Sequence, residues 1–216
     1  MVIKSFPLVY LLGLSLLWAC GKDDKDHLPS PQEVQEERPN EEGLRIGSYR
    51  IILAPLNSQV FKHTSNGTGN IETLIEGIAF QINMVGTPAG VTHHQYVHDG
   101  NNCPEENHDI NQDGVIDVAE VNKISGKKLM ELDGDLNAKD PLDPEFPRAD
   151  GSGHYTYREV MKPDSLDIDP QEKVIIIYGV PARTPLPETI ETMNGLSSQD
   201  SLPIACGKIL RVPEEE

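Results

Sequence analysis

The sequence has few basic residues, few aromatic residues and only short apolar runs. Lysine and arginine number 18 against 35 acidic residues, and the formal net charge is −17. This charge argues against nucleic acid and anionic lipid headgroups as partners and favours cations. Aromatic residues make up 5% of the chain, whereas glycine (18) and proline (17) are frequent. Such a balance favours an all-β domain with long irregular loops.

Several catalytic motifs are also missing. The chain has no GxSxG nucleophile turn, no glycine-rich phosphate loop and no HExxH zinc helix. Acidic residues are numerous enough to include a catalytic pair, so the sequence does not exclude an enzyme. Because no catalytic centre is recognisable, we expect that the protein is not an enzyme.

Only three cysteines are present, and the first of them ends an N-terminal targeting segment. Residues 1–19 start with a positive charge at Lys4, and their apolar run, residues 7–18, is too short to span a bilayer. The run ends Leu-Trp-Ala-Cys, which resembles the lipobox of bacterial lipoproteins, and the resemblance implies that Cys20 is lipidated. An ordinary signal peptide with an incidental cysteine is the alternative.

The residues after Cys20 indicate where such a lipoprotein is located. Gly21 stands where an aspartate retains lipoproteins at the inner membrane of some Gram-negative bacteria, and residues 22–24 resemble a cell-surface tag of Bacteroidetes-type bacteria. We therefore expect a lipid anchor in the bacterial outer membrane, with the protein facing the cell surface or the periplasm. Residues 20–46 are charged and contain proline without an apolar period, which predicts a disordered tether.

Residues 47–212 are enough for one domain with a sizeable core. Alternating or β-branched apolar runs predict strands at residues 49–56, 71–75, 77–85, 91–98, 154–161, 173–180 and 202–210. The continuous apolar centre of residues 173–180 predicts a central strand buried on both faces. We expect a short helical turn at residues 118–124, a long loop at 133–146, and a loop or one short helix at 185–196.

The most specific pattern of the chain is DINQDGVIDVAE, residues 109–120. Oxygen-bearing groups recur at positions 1, 3, 5, 7, 9 and 12 of this run, with glycine at position 6. These are the ligand positions of an EF-hand calcium loop, and none is substituted. The predicted ligands are Asp109, Asn111, Asp113, the Val115 carbonyl, Asp117 and Glu120.

Each of these residue types meets a need of calcium, a hard cation that takes six to eight oxygen ligands. Gly114 permits the sharp bend, Glu120 supplies two carboxylate oxygens, and Ile116 at position 8 is expected to face the protein. The residues before the loop, CPEENH, are too polar and short for an entering helix. We therefore expect an EF-like loop inserted in another fold, which favours a structural ion over a sensor. An acidic surface turn is the alternative.

Three histidines, His93, His94 and His98, lie close together in the predicted strand before this loop. Alternation along a strand places His94 and His98 on one face with Tyr96. Copper or zinc requires three or four ligands in a fixed geometry, so these histidines are candidate copper or zinc ligands. Packing or hydrogen bonding at the base of a loop is the alternative.

If Cys20 is lipidated, two cysteines remain, Cys103 and Cys206. They form an even pair, far apart in sequence, in a compartment that is oxidising.

Four short blocks resemble the Cu/Zn superoxide dismutases and occur in the same order: HHQYVHDGNNC, ADGSGHYTY, KVIIIYGV and LPIACGKI. The match covers residues 49–212 and is closer to bacterial secreted proteins of the dismutase-like or chordin-like (CHRD) kind. The resemblance implies a Greek-key β-sandwich or barrel. It also implies a disulfide between Cys103 and Cys206, which agrees with the cysteine count.

The resemblance also shows where metal ligands are replaced. Tyr96 and Tyr178 stand where the dismutases have histidine, whereas His98 is retained. The zinc loop of the dismutases holds several histidines, but His108 is the only histidine between His98 and His154 in this sequence. We therefore expect a calcium-binding surface lipoprotein whose β domain is a non-catalytic structural module or binds an extracellular protein or ligand. The alternative is a degenerate dismutase-like metalloprotein that binds copper or zinc through a reduced histidine site.

Overall fold

A computed structural model of the chain describes residues 45–75, 77–134, 145–162 and 169–213. The expected signal peptide, the lipidation site Cys20 and residues 20–44 of the expected tether lie outside the described residues, as does most of the expected loop at 133–146. Arg45 and Ile46, the last two residues assigned to the tether, belong to the first strand.

The described residues form eight strands and a few short helices. The strands are β1 (Arg45–Pro55), β2 (Asn66–Leu74), β3 (Gly77–Val85), β4 (Gln95–His98), β5 (Lys128–Glu131), β6 (Tyr155–Met161), β7 (Val174–Tyr178) and β8 (Pro203–Arg211). The helices are α1 (Ser58–Phe61), α2 (Val118–Ser125) and α3 (Ser198–Ser201), with a 3₁₀ turn at Glu106–His108. None of the described helices has the length and apolar character needed to cross a membrane.

The strands form one antiparallel sheet in the order β5-β4-β7-β8-β1-β2-β3-β6. Strand β6 lies beside β3 and β7 lies beside β4, so successive segments of the chain alternate between the two halves of the sheet. This interleaving is the Greek-key arrangement. The predicted all-β fold is therefore confirmed.

Strand β7 is buried along its whole length, as its continuous apolar sequence predicted. Its alternating side chains contribute to two apolar clusters. Ile175 and Ile177 join the main core inside the curled sheet. The other face joins a smaller cluster, which we call the outer core: Leu56, Tyr96, Ile116, Val121, Phe146, Val174, Ile176, Tyr178, Met193 and Cys206. Burial of each large apolar side chain stabilises the fold by roughly 1.5–3 kcal/mol, and the outer core attaches the loop at residues 109–120 to the sheet.

Some sequence-based boundaries were wrong. Strand β4 is shorter than predicted, because Thr92 forms only an isolated bridge to Arg148. Strand β5 was not predicted, because only Met130 is buried among its four residues. By contrast, residues 185–196 form a loop, which is one of the two predicted alternatives. Helix α3 follows this loop and begins where Ser197 accepts a hydrogen bond from the Asp200 amide.

Candidate metal centre

The chain enters the EF-like loop from the predicted disulfide, which the structure confirms. Cys103 and Cys206 are bonded, with their Cα atoms 5.7 Å apart. The next residues form the 3₁₀ turn, and the Glu105 amide donates to His108 Nδ1 at 2.9 Å. This turn occupies the place of the entering helix whose absence the sequence predicted. The start of the loop is therefore held against strand β8.

The first half of the loop curls around its own side-chain oxygens. The Asp109 carboxylate accepts from the amides of Asp113 (3.2 Å) and Gly114 (2.9 Å). The Asn111 amide oxygen accepts from Asp113 N at 3.0 Å, and Asp113 Oδ1 accepts from Val115 N at 3.1 Å. Gly114 has φ of 89°, which most side chains disfavour. The sequence thus folds locally with these three polar side chains turned toward the inside of the loop.

The second half of the loop buries two carboxylates side by side. Asp117 caps helix α2 by accepting from the amides of Ala119 (2.8 Å) and Glu120 (3.4 Å). Glu120 accepts from Asp117 N at 2.9 Å and from Ile110 N at 3.4 Å. Asp117 is only 1% exposed and Glu120 only 3%. A capping box therefore draws both acidic groups into the protein.

These carboxylates have no positive partner within the described ranges. Burial raises the pKa of Glu120, and its contact with the Asp117 side chain raises it further. The ion pair found among the described residues joins Lys128 to Glu131, and both of these lie outside the loop. The Val115 carbonyl accepts no hydrogen bond from any described residue. A cation that takes oxygen ligands would compensate these groups, so the donor set is chemically suited to calcium.

The end of the loop is attached to the sheet by Asn57, which sequence reasoning missed. The Asn57 side chain donates to the carbonyl of Ile116 (2.8 Å) and accepts from its amide (2.8 Å), as a neighbouring strand would. It also donates to the carbonyl of Pro203 at 2.9 Å. Ile116 is buried, as its position in the loop predicted. Asparagine tolerates the left-handed φ of 54° found here better than most residues do.

A second attachment comes from residues 188–194, which we call the strap. Thr189 Oγ1 donates to Asp113 Oδ2 at 2.5 Å, and Glu191 N donates to Asp117 Oδ2 at 2.7 Å. Sequence analysis had no means of finding these contacts, because the partners are more than 70 residues apart. The disulfide, Asn57 and the strap together hold the loop from three parts of the fold.

The loop carboxylates are turned toward backbone amides rather than toward one shared point. In the parts of the chain that the structure describes, no three His, Cys, Asp or Glu side chains are gathered so as to hold a metal ion. Two of the predicted ligands, the Asn111 amide oxygen and the Val115 carbonyl, are of other types. The structure thus places the predicted ligands on one curled loop without gathering their side chains at one point, and calcium binding stays a prediction.

The candidate copper or zinc ligands face two different clusters. His93 Nδ1 donates to the carbonyl of Tyr178 (3.1 Å), and the ring stacks on Tyr155. His94 packs against Phe146 on the opposite face, with ring centroids 4.5 Å apart. His93 Nε2 and His94 Nδ1 are buried and have no hydrogen-bond partner among the described residues. Neighbouring positions in an extended chain point in opposite directions, which explains the separation.

His98 uses both ring nitrogens. A carbonyl can only accept, so His98 Nδ1 donates to the Gly126 carbonyl (3.0 Å), and Nε2 of the neutral ring then accepts from the Tyr178 hydroxyl (3.1 Å). Burial lowers the pKa of His94 and of His98, and lowers the pKa of His93 to about 4. All three rings are therefore neutral at pH 7. Their role as copper or zinc ligands stays a prediction.

The two tyrosines that the resemblance aligns with histidines pack together. The rings of Tyr96 and Tyr178 meet edge to face, with centroids 5.7 Å apart. Burial raises the pKa of both phenols, so they remain protonated near neutral pH. A protonated phenol is a weak metal ligand, and these side chains act here in packing and in the hydrogen bond to His98.

No protein-family model matches this chain, and a search of curated proteins finds no matching relative. The resemblance to superoxide dismutases and CHRD-like proteins therefore stays a prediction.

Proposed function

We propose that this protein is a calcium-binding surface lipoprotein whose β domain is a structural or ligand-binding module without catalytic activity. The observation that carries the proposal is the buried pair of carboxylates, Asp117 and Glu120, at the end of a loop whose donors are oxygen atoms. Two adjacent buried negative charges are costly unless a cation compensates them. Calcium accepts this kind of ligand set.

In this proposal the six predicted positions hold the ion: Asp109, Asn111, Asp113, Val115, Asp117 and Glu120. Bound calcium supplies the positive charge that lowers the electrostatic cost of the acidic loop. The loop is attached to Cys206, to Asn57 and to the strap, so the ion strengthens one end of the sheet. An affinity of about 10⁻⁴–10⁻³ M is sufficient for occupancy outside the cell.

The proposal places the protein at the bacterial outer membrane through a lipid on Cys20. The support comes from the Leu-Trp-Ala-Cys sequence and the charged residues after it. Radiolabelled palmitate fed to cells is expected to label the wild-type protein and not the Cys20→Ala variant. Label that persists in this variant would contradict the anchor.

A second candidate function is a copper- or zinc-binding protein of degenerate dismutase-like type. One observation favours it: His93 Nε2 and His94 Nδ1 are buried nitrogens without a partner in the described parts of the chain. Metal analysis of the mature chain, purified without chelators, separates the two candidates. Near-stoichiometric calcium without transition metal supports the first, and near-stoichiometric copper or zinc supports the second.

A further inference from the structure

A cleft lies beside the candidate calcium loop, between helix α2 and the strap. Its volume is about 260 Å³, and its polar lining consists of His98, Asn122, Lys128, Tyr178, Thr192 and Asn194. A water molecule takes about 30 Å³ in the liquid, so the cleft has room for about eight or nine such units. This is the size of a small organic molecule rather than of a macromolecular segment.

The charge of this cleft is opposite to that of the chain. Among the described residues no carboxylate lines it, although the sequence contains 35 acidic residues, and Lys128 supplies the only formal charge of this described lining at pH 7; its partner Glu131 lies outside the lining. By contrast, the larger cleft of about 620 Å³ beside the loop is lined by Glu105, Glu106 and Asp109. In an acidic protein, a cleft with this lining selects an anion.

The donors of the cleft are available to a ligand. Lys128 Nζ lies 4.0 Å from the centre of the Tyr96 ring and forms an ion pair with Glu131 Oε1 at 3.8 Å. An ion pair between partly exposed side chains stabilises by only about 0–1 kcal/mol, so a ligand carboxylate competes with Glu131 for the ammonium. The side chains of Asn122, Thr192 and Asn194 make no hydrogen bond with any described residue. One ammonium and three neutral polar groups compensate a single negative charge and leave the second charge of a phosphate uncompensated.

Two apolar side chains, Val118 and Met193, complete the lining. They suit the apolar tail of a short monocarboxylate better than a bare inorganic ion.

Both walls of the cleft continue from the candidate calcium loop. Val118 follows Asp117 directly in helix α2, and Thr192 follows Glu191, whose amide donates to Asp117 Oδ2 at 2.7 Å. An ion that fixes Asp117 therefore also fixes the two walls relative to each other. Any ligand that needs both walls is then thermodynamically linked to the ion, and the linkage is reciprocal.

We propose that this cleft binds a short-chain monocarboxylate through Lys128, Asn122, Thr192 and Asn194, and that calcium at the loop strengthens this binding. The second half of the proposal rests on the proposed calcium function, whereas the first half does not.

Calorimetric titration of the mature chain with pentanoate tests the cleft, and pentanamide, the neutral analogue, is the matched ligand. Pentanoate is expected to bind about tenfold or more tightly than pentanamide, because a hydrogen bond to a charged group is stronger than one to a neutral group. Lys128→Met is expected to remove this preference. Lys127→Met, which changes the neighbouring exposed lysine outside the cleft, is expected to keep it.

Equal binding of pentanoate and pentanamide, or equal effects of the two lysine variants, would overturn the cleft assignment. If Lys128→Met does not fold, Asn194→Asp replaces it, because a carboxylate in the strap is expected to weaken pentanoate binding about tenfold.

Calcium linkage has its own readout. Removal of calcium with a chelating resin is expected to weaken pentanoate binding. Conversely, pentanoate is expected to lower the calcium concentration that half-saturates the wild-type protein, but not the concentration that half-saturates Lys128→Met. Unchanged pentanoate affinity in a chain that binds calcium refutes the linkage alone. A chain that binds no calcium refutes the proposed function, and the Lys128 comparison still decides whether the cleft binds the anion.

Discussion

Asn57 is predicted to be the main attachment between the candidate calcium loop and the sheet. Its side chain makes hydrogen bonds to the amide and carbonyl of Ile116 and to the carbonyl of Pro203, and it is only 6% exposed. Asn57→Gly removes all three bonds without straining the backbone, because glycine accepts a positive φ. At about 1 kcal/mol per bond, the loss in unfolding free energy is about 3 kcal/mol.

The backbone contribution can be measured separately. Asn57→Ala is expected to lose about 1–2 kcal/mol more than Asn57→Gly, because alanine disfavours the left-handed region. Lys62 provides a matched control, since it has nearly the same φ (57°) and is exposed at the end of helix α1. Lys62→Ala is expected to change the unfolding free energy little, because lysine and alanine both carry a Cβ, and Lys62→Gly is expected to raise it by about 1–2 kcal/mol.

Urea unfolding and thermal melting measure these differences. For a chain of this size, about 3 kcal/mol corresponds to a fall of about 6–12 °C in Tm. The Asn57 variants are also expected to bind calcium more weakly, because the loop loses its attachment at Ile116. If Asn57→Gly melts within a degree or two of Lys62→Gly, the attachment assigned to Asn57 is wrong.

Three further predictions concern other parts of the fold. Replacing both Cys103 and Cys206 by serine is expected to lower the unfolding free energy by roughly 2–5 kcal/mol, because the bond closes a loop with a sequence separation of 103 residues; equal urea midpoints would contradict this. The pKa of His93 in the folded protein is about 4, below its ordinary 6.5. The contribution of this neutral ring to the unfolding free energy is therefore complete above pH 6.5, and the unfolding free energy falls by about 3 kcal/mol between pH 6.5 and pH 4. In metal-free protein, urea titrations from pH 7 to 4 are expected to show a smaller loss for His93→Gln, and equal losses would refute this assignment. Copper-loaded protein is expected to remove superoxide no faster than free copper, and faster turnover that is lost in His98→Ala would show that a competent copper site exists.

The strands could be predicted from sequence where side chains alternate or are continuously apolar. Strand β3 has the predicted bounds, and β7 is buried on both faces as predicted. Strand β2 begins at Asn66, five residues before the predicted start at residue 71. These residues were not predicted as strand because they are polar or glycine and resemble a turn. Pairing on both sides makes them a strand. Gly67 is required there, since a Cβ would lie within 2.8 Å of the Asn83 carbonyl oxygen.

The candidate site could be predicted only in part. The EF-like loop is local, so spacing alone identifies its polar positions, and the buried orientation of Ile116 follows from the same spacing. Asn57, Thr189 and Glu191 contact the loop from 59 to 76 residues away, and no local pattern marks them. The opposite orientation of His93 and His94 follows from strand alternation, but their partners Tyr155 and Phe146 depend on the tertiary fold.

The most direct test of the calcium proposal is the melting temperature of the mature chain with and without calcium. At calcium concentrations of about 10–100 times Kd, bound ion stabilises the folded state by about 1.4–2.7 kcal/mol. This corresponds to a rise of about 3–11 °C in Tm. The rise is expected to disappear in Glu120→Gln and to persist in Glu106→Gln, a neighbouring carboxylate outside the ligand positions. A melting temperature that does not respond to calcium, or an equal response in both variants, would contradict the account.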